Sequence, residues 1–85
     1  SIAARFMMGE CLFSQKEYDK AIMQYQKIIS QHPGDAKAPT AMFRQGEAFE
    51  KLSDKETAKV IYKKIIKQHG SSAESEKAQE KLTKL

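Results

Sequence analysis

Apolar side chains recur along this chain with the period of an α-helix, and the interruptions divide it into five stretches. Tyr18, Ala21, Ile22, Tyr25, Ile28 and Ile29 keep the i, i+3, i+4, i+7 spacing of one buried helix face. This predicts a helix from about Glu17 to Gln31. His32-Pro33-Gly34 ends it, because proline offers no amide donor and clashes with the preceding turn, and Asp35 suits the cap of the next helix. The same face returns at Ala58, Ile61, Tyr62, Ile65 and Ile66, predicting a helix from about Lys55 to Gln68 that stops at Gly70. Between these two, about Ala36 to Leu52 reads as a helix burying Ala41, Met42 or Phe43, and Phe49. It tolerates Pro39 near its first turn and breaks at Ser53-Asp54, either of which could cap the next start. Ile2 to about Ser14 is apolar nearly all round, so a helix there expects neighbours on more than one side. A last helix, capped by Ser71 or Ser72 and running to about Lys84, has only the thin stripe Ala73, Ala78, Leu82 and Leu85, as a terminal capping helix requires.

The five stretches are not independent. Tyr25 to His32, YQKIISQH, comes back as YKKIIKQH at Tyr62 to His69, an offset of 37 residues that Phe6/Phe43, Gly9/Gly46, Glu10/Glu47, Ala21/Ala58 and Ala36/Ala73 also obey. A spread of that width makes the unit of construction a helical hairpin of about 37 residues, unable to bury its apolar face alone. Gly9 and Gly46 fall in mid-helix, where glycine costs about 1 kcal/mol against alanine. Close approach of a partner helix at Ala21 and Ala58 would offset that, with Tyr25 and Tyr62 filling the wider part of each wedge.

Composition narrows the function classes. The chain has 85 residues, with 40% hydrophobic and 31% charged side chains, enough for one small domain. No apolar run approaches the roughly 20 residues that span a bilayer, so no membrane insertion is expected. Ser1 to Phe13 carries no basic leader and no small-residue cleavage site, so it does not read as a secretory signal. The net charge of +4 lies wholly in the last 35 residues, much of it as Lys55, Lys59, Lys63 and Lys67 at steps of four. That row lies on one helix stripe, away from the Ala58/Tyr62 face. Without interleaved aromatic or arginine groups it reads as a solvated face rather than a nucleic-acid surface. Catalysis finds no constellation. His32 and His69 are repeat equivalents at helix C-termini, too far apart to share a metal, and Cys11, alone in the most apolar helix, is expected to stay a protonated, inert thiol. No phosphate loop or metal-ligand cluster is present in the sequence, and no cofactor is expected.

Gly9, Leu12, Ala21, Tyr25 and Pro33, with Gly46, Phe49, Ala58 and Tyr62 in the second unit, resemble the tetratricopeptide repeat pattern. Gly70 stands where the second proline would be, and Arg5 and Met42 where an aromatic is common. The resemblance implies an all-α superhelix of two helix hairpins plus a C-terminal capping helix, with repeat one over about 1–35, repeat two over about 36–72 and the cap over about 73–85. The period, longer than the usual 34, and the alanine-rich start Asp35-Ala36-Lys37-Ala38-Pro39-Thr40-Ala41 are similar to a bacterial envelope subgroup, most of all to the C-terminal domain of the Tol-Pal system YbgF (cell division coordinator CpoB) family. That likeness implies a periplasmic protein–protein scaffold with a TolA-like envelope partner, acting in envelope constriction during division. The outer-membrane assembly lipoprotein BamD is built from similar units and is the alternative. Members of the repeat family line a concave groove with the first helix of each unit. Here that implies a partner-binding groove of Phe6, Met7, Glu10, Phe13, Phe43, Arg44, Glu47 and Glu50, joined by Lys77, Glu80 and Lys81 of the last helix. Phe6 and Phe43 can equally be packing between units. A carboxylate clamp of the chaperone-tail kind is not expected, since the chain has no asparagine and Phe6 and Glu10 replace the first clamp pair. The apolar first helix suggests that Ile2, Phe6 and Met7 are shielded by self-association with another copy or by a preceding unit of a longer chain.

Overall fold

A computed structural model describes all residues, 1–85, as five helices without a strand: α1 (Ile2–Ser14), α2 (Tyr18–Gln31), α3 (Lys37–Lys51), α4 (Lys55–Gln68) and α5 (Ala73–Lys84). Each observed helix begins and ends within about two residues of the sequence expectation, the usual scatter at helix ends. Start signals work in part as capping chemistry predicts: Ser72 Oγ accepts the Ser75 amide at 3.1 Å, whereas the cap position of α3 is Ala36, and Asp35, one residue earlier than that, accepts the Lys37 amide at 2.8 Å. At Ser53-Asp54 the cap is Asp54, which accepts from the Thr57 amide at 3.1 Å and the Thr57 hydroxyl at 2.7 Å. Those two bonds hold its carboxyl below the usual range.

Both turns inside the hairpins close in the same way. Lys16 and Ser53, one repeat apart, adopt left-handed backbone angles with φ of 64° and 63°. The following amides reach back into the helix, Glu17 to the Leu12 carbonyl and Asp54 to the Phe49 carbonyl, each at 2.8 Å. This is the Schellman closure, and here it is made without glycine.

Helix order sets the layers. α1 packs on α2, α2 on α3, α3 on α4 and α4 on α5, and α3 also touches both α1 and α5. One side is therefore made of α1, α3 and α5, with α2 and α4 behind, in a body of 32 × 28 × 16 Å. Two apolar clusters repeat along it. The first is Ala21, Tyr25, Ile28 and Ala41; the second is Met42, Ala58, Tyr62, Ile65 and Ala78, with Ile29 touching both.

The mid-helix glycines are contact glycines, but what they contact differs from expectation. A Cβ on Gly9 would lie 2.6 Å from Tyr25 Cε1, and one on Gly46 would run into the Tyr62 ring in the same way. The tyrosine ring occupies the space the glycine leaves. It does not fill a wedge beyond an alanine contact. A second difference is Gln45, only 5% exposed, whose amide donates to the Ile22 carbonyl at 3.1 Å and to Gln26 Oε1 at 3.0 Å. Apolar periodicity cannot flag a polar side chain buried by a specific hydrogen-bond pair.

Candidate functional site

The side made of α1, α3 and α5 is a shallow groove, floored by α3. Along it lie three adjoining depressions of about 300, 350 and 490 Å³. Phe6, Glu10 and Phe13 border it from α1, Phe43, Arg44, Glu47 and Glu50 from α3, and Lys77, Glu80 and Lys81 from α5. These residues lie on one side because each first helix turns the same stripe outward and the 37-residue offset keeps the stripes in register.

The groove's charges are largely committed to one another. Arg44 grips Glu10 with two bonds of 2.9 Å, from Nε and a terminal nitrogen, and gives a third of 3.1 Å to Glu47. Lys81 stands 3.1 Å from Glu50 and 3.8 Å from Glu47, so one chain of ion pairs ties α1, α3 and α5 together. Partial burial works against the Arg44 charge, but the bond and charge of Glu10 hold its guanidinium above its ordinary value. The buried tyrosines reach this network from behind. The Tyr25 hydroxyl donates to Glu10 at 2.6 Å, and the Tyr62 hydroxyl donates to Glu50. Desolvation first, then the bonded carboxylate, pushes both phenols well above 10.0. The repeat is broken here. Glu10 has Glu47 as its equivalent, yet Tyr62 donates one helical turn further on to Glu50, at the position where the first repeat has Phe13.

Aromatic and cationic groups alternate along the groove. The Lys37 ammonium sits 4.6 Å from the Phe6 ring centre, the Arg44 guanidinium 4.9 Å from Phe13, and the Lys77 ammonium 5.9 Å from Phe43. Phe6 and Phe43 are also packing residues, their rings 5.9 Å from Tyr25 and 5.5 Å from Tyr62. The two roles coexist in half-buried side chains.

Sequence patterning extends over most of this stretch. The family pattern of the tetratricopeptide repeat matches residues 3–35 and again residues 40–72. The chain belongs to the tetratricopeptide repeat family. Tetratricopeptide domains mediate protein–protein interaction and are typically scaffolds without catalysis. No curated protein matches the chain.

Of the groove residues implied by the tetratricopeptide resemblance, Met7 lines none of the three depressions. It is 66% exposed, next to Met8 on α1, and borders none of the groove. Cys11 is also exposed, although it lies in the most apolar helix. The apolar surface at this end differs from the expected one as well. Ile2 and Phe6 are half-buried against the Tyr25 cluster, and the bare residues are Met7, Met8 and Cys11. Sequence reading missed Lys37, Thr40, Lys51, Glu74 and Lys84. Thr40 Oγ1 donates to Glu74 at 2.9 Å, joining α3 to α5. The offset carried the signal, since Thr40 is the equivalent of Lys77 and Lys37 of Glu74. On the opposite side, Met42, Gln45 and Phe49 floor a cleft of about 210 Å³ between α2 and α4. The histidines cap the C-termini of α2 and α4. In the lysine row Lys55, Lys63 and Lys67 are exposed, while Lys59 pairs with Glu56 at 3.5 Å.

Proposed function

We propose that this domain is a non-catalytic scaffold whose groove, made by α1, α3 and α5, holds an extended or helical segment of another protein. The observation that carries the reading is the gathering of Phe6, Phe13 and Phe43, each under a cation, along one side of the molecule. Half-exposed aromatics ringed by charge are the usual anchors of a protein interface. Glu10, Glu47 and Glu50 already have partners within the chain, so charged recognition falls to the side chains outside the ion-pair chain, Lys37, Lys51, Lys77 and Lys84 with Glu74 and Glu80. The finer reading is a periplasmic, Tol-Pal-associated domain acting in envelope constriction, with a TolA-like envelope protein as partner. Its support is the 37-residue period and the alanine-rich start of the second unit.

Calorimetry with a purified TolA domain tests both levels. Lys77→Glu is expected to weaken binding by about 1 kcal/mol or more, with unchanged helix content because Lys77 is exposed. Phe43→Ala is expected to do the same but must be scored beside its melting curve, since Phe43 also packs on Tyr62. Glu47→Lys is a poor probe, because Glu47 sits at the centre of the ion-pair chain. Binding that survives Lys77→Glu and Phe43→Ala but fails in Lys59→Glu with Lys63→Glu would move the working surface to α4. No binding at all would remove the Tol-Pal reading and leave the groove to another partner.

A further inference from the structure

We propose that the cleft between α2 and α4, on the side away from the groove, binds a small hydroxylated organic acid whose apolar body is about the size of one benzene ring. The backbones of these two helices stay apart, with no Cα of one within 8 Å of a Cα of the other, so the two units leave a slot over α3. Its volume is about 210 Å³. Ile22, Ile29 and Ile61 line it from α2 and α4, and Met42 and Phe49 floor it. An apolar cavity of about 150 Å³ takes one benzene molecule, so this slot has room for a ring with a short substituent.

Two polar features define the guest further. Gln45 lines the slot, and its side chain is fixed in sense: its nitrogen donates to the Ile22 carbonyl, which can only accept, and to Gln26 Oε1. No donor of the chain reaches Gln45 Oε1. Ser75 Oγ is the one sealed side-chain oxygen without a partner, so Gln45 Oε1 opens on space, and the space Gln45 lines is this slot. Packing alone does not call for an amide here, because the repeat equivalent of Gln45 is Leu82, packed on the second apolar cluster. An accepting oxygen in a largely buried residue suits a hydroxyl donor on the guest. The second feature is the charge of the rim. Lys64 stands there exposed and without an ion pair, and no acidic side chain lines the slot. On the opposite wall Gln26, its oxygen engaged by Gln45, has its amide nitrogen left to donate. One lysine and one amide match a single carboxylate. An apolar slot with a few convergent polar groups is how small-molecule sites are built.

The test titrates the isotope-labelled 85-residue chain with 4-hydroxyphenylacetate. Saturable shifts are expected at the amides of Ile29, Gln45, Phe49 and Ile61, with those of Phe6, Phe43 and Lys77 in the groove unmoved, and the melting temperature should rise with ligand concentration. Phenylacetate, which lacks the hydroxyl, and tyramine, which carries the opposite charge, are each expected to bind about tenfold more weakly or worse. Lys64→Glu, at an exposed position that leaves the circular dichroism unchanged, should lose about tenfold in affinity, and Lys64→Arg should keep it. The proposal is overturned if no shift saturates by about 10 mM, if the shifts fall in the groove, or if tyramine or the Lys64→Glu variant binds equally well. Equal binding of N-acetyltyrosine amide would also overturn it, by showing that the slot takes a tyrosine side chain of another protein and does not read the acid.

Discussion

Gly46 faces the Tyr62 ring and Gly9 the Tyr25 ring, so the usual ranking of alanine over glycine within a helix is reversed at both positions. Without the ring, Gly46→Ala would gain about 1 kcal/mol in helix preference. With the ring held by its hydrogen bond to Glu50, overpacking dominates, and the variant is expected to lose about 1 to 3 kcal/mol in a denaturant melt. In a Tyr62→Leu background the same substitution should cost less, and Lys63→Ala on the exposed face should stay within about 0.5 kcal/mol of zero. Gly46→Ala as stable as the parent would end the ring-contact account. Ser75 makes the opposite case. Its hydroxyl is fully buried with no hydrogen-bond partner, at the position where the preceding repeat has the buried Ala38. Ser75→Ala is expected to raise stability by about 1 kcal/mol, and a loss would mean that the hydroxyl has a partner in solution.

Each hairpin is held by a tyrosine that crosses from the second helix to a carboxylate on the first, Tyr25 to Glu10 and Tyr62 to Glu50. Both phenols keep their protons above the pH at which an unfolded tyrosine loses its own, near 10.0. A raised pKa in the folded state gives stability that is intact below that value and lost above it. Each tyrosine is therefore expected to remove about 1.4 kcal/mol per pH unit once the pH passes about 10. Urea melts between about pH 9 and 12 check this. Tyr25→Phe should lower the slope by about half, and an unchanged slope would remove the tyrosines as its source. The turns inside the hairpins offer a second check at this scale. Lys16→Gly relieves a left-handed lysine and is expected to stabilise by a few tenths to about 1 kcal/mol, whereas a glycine at a right-handed position would destabilise.

Across the whole molecule, the Glu10–Arg44–Glu47–Lys81–Glu50 chain spans the three helices of the groove, whose side chains are about one-quarter to one-third exposed. Water screens pairs of this kind, so each contributes little alone, and the two-bond grip of Arg44 on Glu10 is the strongest part. Arg44→Met keeps an aliphatic stem of similar length and removes the charge together with the guanidinium that sits over Phe13. It is expected to lower stability by about 1 kcal/mol in low salt, with the loss shrinking as salt is added. Equal losses at low and high salt would show that packing, not charge, is what Arg44 contributes. The same network makes the groove a preset surface: its acidic side chains are oriented before any partner arrives.

The repeat offset, the helix limits and the caps at Asp54 and Ser72 were legible in the sequence, and the family resemblance added most of the stripe that α1 and α3 turn to the groove, though not Lys37 or Thr40. Offset, limits and caps depend on local spacing and on which residue types can start or stop a helix, and those forces act within a few residues. Other features were settled only when the helices met. Gln45 is buried because Ile22 and Gln26 happen to receive its amide, and Tyr62 binds Glu50 rather than the repeat-equivalent Glu47, although Lys81 meets both carboxylates. Met7 leaves the groove, and Met8 and Cys11 become bare, through the rotation of α1 on α2. An apolar stripe that runs nearly all round a helix does not specify that rotation. Periodicity selects a face only where polar residues mark the other side; in α1 that choice was made by the contact of Gly9 with the Tyr25 ring.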